Sequence, residues 1–154
     1  MPWTDLLDAG RIVVLDDPGT RAQVLDHAAR LLSGGSPAQA RALSDALQQR
    51  ERLASTAIGH GVAIPHARNQ GLEARGAFLR LGRPVDFDAR DGAPVDLVFA
   101  MTASDDRPEL HLEHLAGVAA RLSDPEFRDR LRGVRGVAQL RRLLLPPAVA
   151  ANAA

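Results

Sequence analysis

Three residues far apart in the chain have side chains suited to carrying and holding an oxyanion: Arg50, His66 and His111. His66 stands in the segment STAIGHGVAIPHAR, residues 55–68. Pro65 fixes its own φ and keeps Ile64 extended. The histidine is therefore expected at the fixed exit of a short strand over residues 62–64, not on a swinging loop. Gly59 and Gly61 permit close backbone approach or positive φ just upstream. A neutral imidazole is a competent nucleophile near neutral pH, because its unperturbed pKa lies just below it. An ordinary loop histidine is the plainer alternative.

Arg50 and His111 sit on helices. On the helix expected from Ser36, Leu43, Leu47 and Arg50 form one stripe at i, i+4 and i+7. An arginine in line with core leucines needs a partner. That partner is either a nearby helix carbonyl or Glu51, or an anion met by the guanidinium fork. On the helix opened by Pro108, the residues His111, Leu115, Val118 and Leu122 share a stripe, with His114 about 60° to the side. This predicts His111 pointing inward and His114 nearer the surface. A first helical turn also favours anions through its free N–H groups. A satisfied core histidine is the alternative for His111.

Taken together, the three describe a covalent phosphoryl acceptor: a nucleophilic imidazole, an arginine clamp, a second imidazole, and amides of a glycine-containing turn. Phosphoryl transfer needs mainly positioning and charge stabilisation. The chain has no GxxxxGK[ST] loop and no kinase signature, so any phosphoryl group is expected to come from another protein. A zinc site built on His60, His66, His111 and His114 is a weaker alternative. The segment His111-Leu112-Glu113-His114 lacks HExxH spacing, and neither a metal nor a cofactor is expected.

The composition narrows the classes further. Lys+Arg and Asp+Glu are both 19, and every cationic residue of the former class is arginine. Without a positive surplus, nucleic-acid binding is not expected. The absence of cysteine excludes disulfides and thiolate chemistry. No apolar run approaches membrane-spanning length, and MPWTDLLDAGR does not read as a signal peptide, so a cytoplasmic protein is expected. The length fits one domain, expected over residues 1–146, with 147–154 as a disordered tail.

The elements that must position these residues follow from local pattern. A short helical turn and a strand are expected within residues 3–17, the strand at 11–15. Thr20 caps a helix carrying Val24, Leu25, Ala28, Leu31 and Leu32 at helical spacing. Gly34-Gly35 ends it, and Ser36-Pro37 starts the next, with Gln39 placed for a capping box, running to about Leu53. Residues 76–81 and 94–102 read as strands, the second apolar almost throughout and therefore central. Helices are expected from SDDRPE to about Leu122 and, after a capping box at Ser123-Asp124-Pro125-Glu126, on to Leu145. The order suggests one α/β domain with a central mixed β-sheet flanked by helices on both sides.

The stretch RERLASTAIGHGVAIPHAR closely resembles the active-site signature of the type 2 enzyme IIA domains of the bacterial phosphoenolpyruvate-dependent phosphotransferase system (the mannitol and fructose IIA domains and the nitrogen-regulatory IIA proteins), and the resemblance extends over nearly the whole chain. It implies that His66 is phosphorylated, that Arg50 is the active-site arginine and His111 the second active-site histidine. It further implies a phosphate-positioning loop carrying Ser55, Thr56, Gly59 and Gly61. The implied donor is a phosphohistidine carrier of the HPr type, itself charged by enzyme I, and the implied recipient is a regulated target protein or a IIB domain. The chain departs from the family pattern at Ala57, His60 and Ala67, and His60 is a candidate accessory group. A nitrogen-related regulatory phosphocarrier is the role that the N-terminal half resembles most. A stand-alone fructose- or mannitol-type IIA subunit and a non-transferring binding module are the alternatives.

Overall fold

The computed structural model describes residues 2–68, 73–104 and 106–146; the tail expected over residues 147–154 lies outside them. Two short 3-10 turns, Trp3–Leu6 and Ala9–Arg11, lead into strand β1, Ile12–Leu15. Helices α1, Arg21–Leu32, and α2, Pro37–Leu53, follow. The sheet continues with β2, Ala57–Gly59; β3, Val62–Ala63; β4, His66–Arg68; β5, Gly76–Val85; and β6, Val95–Ala103. The chain then runs through α3, Pro108–Leu122; α4, Pro125–Gly133; and α5, Gly136–Leu144.

The caps explain most helix starts. The Thr20 hydroxyl accepts from Gln23 N–H while the Gln23 side chain accepts from Thr20 N–H, a reciprocal box at the head of α1. Ser36 caps α2 by accepting from Gln39 N–H, with Pro37 in the first turn. At α4 the cap is one residue later than the sequence suggests. Asp124 accepts from Glu126 N–H, whereas the Ser123 hydroxyl donates back to the Ala119 carbonyl and stays with α3.

The sheet is mixed, in the order β1-β5-β6-β3-β2, with β4 also paired to β6. β1 runs parallel to β5, β5 antiparallel to β6, and β3 and β4 both parallel to β6. Alternation along the strands sorts the core into two layers. Leu79, Val98 and Ala100 pack against Val24, Leu25, Leu43 and Leu47 of α1 and α2. Phe78, Leu97, Phe99 and Met101 pack against Val118, Leu122, Leu131, Leu140 and Leu144 of α3, α4 and α5. Helices therefore cover both faces of the sheet. Among the described residues no helix is long and apolar enough to cross a membrane.

The segment around His66 differs from its expected form. Residues 57–68 form three short strands instead of one, and His66 is the first residue of β4, paired with Met101, instead of lying past a strand end. Pro65 has no N–H to give, but its carbonyl accepts from Met101 N–H at 2.9 Å, and Ile64 N–H donates to Thr56 O at 3.0 Å. The chain thus crosses from β3 to β4 while staying beside β6, and β4 becomes the end of the sheet at that level.

Candidate functional site

β4 pairs with β6 alone, so the sheet stops there and the two helical layers meet beyond it. The buried Ala67 turns toward the α1–α2 layer, and its small side chain lets α2 approach. His66 and Arg68 take the opposite face by strand alternation. The result is a cleft of about 830 Å³ walled by α2 on one side, β4 at its floor and the first turns of α3 on the other. Arg50 and Leu53 come from α2, His66 and Arg68 from β4, and His111 and Leu112 from α3.

His66 is held by its own backbone. Its Nδ1 lies 2.9 Å from the Ile64 carbonyl oxygen. A carbonyl oxygen only accepts, so this is the tautomer with hydrogen on Nδ1, which leaves the Nε2 lone pair free. The His66 and His111 rings lie 5.5 Å apart between centroids, inclined at 47°. Arg50 is half-buried and donates from Nη1 to the Ala54 carbonyl at 2.8 Å. That bond fixes the guanidinium at the end of α2 and leaves its other N–H groups available. Of the partners expected for Arg50, a backbone carbonyl at the end of α2 is the one present, and the guanidinium also lines the cleft.

The two α3 histidines are placed the other way round from expectation. His114 is buried, 3 % exposed, and joins Val118 and Leu122 on the core face, while His111 is half-buried at the cleft wall. Positions 111 and 114 both fall within about 40° of Val118 around the helix, so helical spacing alone does not separate them. The choice is made at the first turn of α3, where the helix stands beside the cleft. Burial first, then the positive fields of His66, His114 and Arg68, hold the His111 pKa below its ordinary value. Its Nδ1 is buried without a hydrogen-bond partner among the described residues.

The loop residues singled out in the sequence do not line this cleft. Ser55 donates to Phe87 O and accepts from Ala57 N–H. Thr56 is tied through its N–H and its hydroxyl to the carboxylate of Glu51. Gly59 ends β2, and His60 and Gly61 form the turn to β3, where His60 has a φ of 56° and Gly61 a φ of 79°. Asp91 accepts the His60 N–H at 2.8 Å, and Arg132 donates to the His60 carbonyl at 2.6 Å. The bond from His60 N–H, with one from Ala93 N–H, holds the Asp91 carboxyl below the usual range. Val62 lies opposite Leu97 on β6 and His66 opposite Met101. At about 3.3 Å per residue, roughly 13 Å of strand separates the turn from the histidine. Gly59 and His60 line a separate recess of about 520 Å³ with Arg90 and Asp91. The support this loop gives His66 is thus indirect, through Thr56 O and the β3–β6 pairing.

Two residues at the site escaped the sequence reading. The helical stripe offers Glu51 only as a partner for Arg50, yet it is buried and anchors Thr56. Arg68 carries no signal of its own in the sequence beyond the i, i+2 spacing from His66, which places it on the same face of a strand.

The chain is similar to known proteins over most of its length. Residues 5–145 match the family described as the phosphoenolpyruvate-dependent sugar phosphotransferase system, EIIA 2. A nitrogen regulatory protein of Bradyrhizobium diazoefficiens is 40 % identical over 153 residues, covering 98 % of this chain and 100 % of that protein. One from Pseudomonas aeruginosa is 43 % identical over 129 residues, covering 82 % and 84 %. The crystal structure of nitrogen regulatory protein IIA-Ntr from Neisseria meningitidis superimposes with a TM-score of 0.83 at 36 % identity, covering 92 % of this chain and 97 % of that one.

Proposed function

We propose that this chain, which belongs to the EIIA 2 family of the phosphoenolpyruvate-dependent sugar phosphotransferase system, accepts a phosphoryl group on Nε2 of His66 and signals through that modification as a nitrogen-related regulator. Proteins of this family are phosphocarrier components of the phosphotransferase system. The observation that carries the reading is the shared cleft: His66 faces a recess also lined by Arg50 and His111, with its Nδ1–H held by Ile64 O. The regulatory role is supported by the nitrogen regulatory proteins that match most of the chain's length.

The chemistry follows from the tautomer. Nδ1 keeps its proton on the Ile64 carbonyl, so Nε2 attacks as a neutral nucleophile and no base is needed. As the new N–P bond forms, the bond between phosphorus and the donor's imidazole breaks; the electron pair goes to the donor nitrogen, and the donor ring, protonated on its other nitrogen, leaves as a neutral imidazole. The Arg50 N–H groups not engaged by Ala54 O stabilise the charge spread over the phosphoryl oxygens. His111, held neutral, donates one N–H to the same oxygens without adding a proton that could cleave the product. The donor is an HPr-type phosphohistidine protein, and the recipient of the signal is a partner that docks on this face. Two added negative charges at the cleft mouth alter that docking directly.

The test is the intact mass of the protein after incubation with phosphoenolpyruvate, enzyme I and an HPr-type carrier. Wild-type protein should gain one acid-labile phosphoryl group and His66→Ala none. Labelling that survives His66→Ala would refute the assignment. Arg50→Ala should slow labelling about 100-fold with the fold intact, the scale for losing one positioned oxyanion donor.

A further inference from the structure

Among the described residues, those that line the His66 cleft include two arginines and two histidines but no carboxylate. One of the arginines, Arg68, has no part in the mechanism above. It shares a strand face with His66, because Ala67 between them is turned into the α1–α2 layer. It borders the main cleft and also a side recess of about 170 Å³ that it shares with Pro108, His111 and Leu112. Arg68 therefore stands on the α3 side of His66, while Arg50 stands on the α2 side.

Several other arginines of this protein are committed elsewhere. Arg11, Arg75, Arg80 and Arg141 donate to backbone carbonyls. Arg30, Arg121 and Arg132 are paired with Asp26, Asp124 and Asp96. Arg68 makes no ion pair and no side-chain hydrogen bond with the described residues, although it is near enough to His111 for its charge to oppose protonation there. A cationic cluster with no counter-charge among the described residues gains stability when a dianion enters it.

We propose that Arg68 is a second catalytic arginine, which holds the phosphoryl oxygens from the α3 side of His66 opposite Arg50; this rests on the reading that His66 is the acceptor. In the transfer, the donor's N–P bond breaks as the Nε2–P bond of His66 forms, and the electron pair stays on the donor imidazole. Arg68 gives hydrogen bonds to the equatorial oxygens and passes no proton. Because it remains beside the phosphohistidine after transfer, it acts on the stability of the product as well as on the rate.

The experiment compares wild type, Arg68→Ala and Arg68→Lys in labelling from phosphoenolpyruvate through enzyme I and an HPr-type carrier. Arg68→Ala should label about 10- to 100-fold more slowly, the worth of one charge-assisted hydrogen bond. It should also carry less phosphoryl group at equilibrium with the donor, and Arg68→Lys should recover part of both losses. Wild-type rate and equilibrium in Arg68→Ala overturn the proposal. A wild-type protein that takes no label overturns the His66 reading instead, and Arg68 is then decided on the unphosphorylated protein. There, ring-proton NMR with added inorganic phosphate should show the His66 and His111 shifts weakened in Arg68→Ala and kept in Arg68→Lys. Equal responses in all three proteins overturn the role of Arg68 in holding an oxyanion.

Discussion

Glu51 holds Thr56 with both carboxylate oxygens: Oε2 accepts the Thr56 N–H at 2.8 Å and Oε1 accepts its hydroxyl. The pair joins the last turns of α2, which carry Arg50, to the chain entering β2, and Thr56 O in turn accepts from Ile64 N–H two residues before His66. One carboxylate, 5 % exposed, therefore links the arginine wall of the cleft to its floor. Glu51→Ala should lower stability by about 2–3 kcal/mol, since two donors lose a charged acceptor in a buried place. For a chain of this length that is a fall in Tm of roughly 4–12 °C. Thermal unfolding followed by circular dichroism checks this, and Glu51→Gln should lose less. A Tm unchanged in Glu51→Ala would remove the link from the description.

Stability should fall as the pH drops below about 6.5, the ordinary histidine value. The His111 pKa is lowered first by burial and then by His66, His114 and Arg68; that of His27 is lowered by burial and by Arg30 against Asp26. A depressed folded-state value means that the unfolded chain binds the proton more tightly. The contribution is therefore complete above about 6.5 and is lost as the pH falls toward the folded-state values. Urea unfolding at about pH 7.5 and about pH 5.5 brackets the window on either side of the unperturbed value. The difference should shrink in a His27→Gln, His111→Gln double variant. Stability that is flat or rising on acidification contradicts the burial of these rings.

Gly61 tests the separation of the turn from the cleft. A Cβ there would lie 2.6 Å from Arg132 Nη2 and 2.8 Å from Asp96 Oδ1, at a φ of 79°. Gly61→Ala should therefore destabilise by about 1–3 kcal/mol through strain and a disturbed Arg132–Asp96 pair. The labelling rate per folded molecule should stay near wild type, since the turn meets His66 only through β3 and β6. A large loss of rate with unchanged stability would place the turn at the phosphoryl group after all.

Among the described residues, two of the three exposed large hydrophobic side chains stand on the rim of the cleft: Leu53, 83 % exposed at the end of α2, and Leu112, 65 % exposed in the first turns of α3. Neither supports the core, so Leu53→Ser with Leu112→Ser should change stability by less than about 0.5 kcal/mol. If the phosphoryl donor docks over the rim, kcat/KM for labelling should fall about tenfold, mostly through KM. Unchanged kinetics would show that the donor meets the protein elsewhere.

The helices were readable because their signals are short-range. Thr20 with Gln23, and Ser36 with Pro37, lie within a turn of the helices that they start, and the Leu43–Leu47–Arg50 stripe is a property of one segment. The apolar run at residues 94–102 announced a central strand, and β6 occupies that place. The division of residues 57–68 into three strands was not readable. Two- and three-residue strands carry too little alternation to announce themselves, and they exist because β6 offers them an edge. The order of His111 and His114 failed for a related reason. Both fit the apolar stripe, and the neighbouring elements choose between them.

Residue types and spacing were enough to nominate Arg50, His66 and His111, because a strand–proline–histidine step, a stripe on α2 and a stripe on α3 are each written in contiguous sequence. What those residues can do together depends on contacts between segments. The pairing of β4 with β6 ends the sheet beside His66, and the end of the sheet lets α2 and α3 approach it from opposite faces. The Ile64 carbonyl selects the free ring nitrogen, and the fold brings Arg68 to the α3 wall. Hydrogen-bond direction, burial and convergence are properties of groups brought close in space, and no local pattern along the chain encodes them.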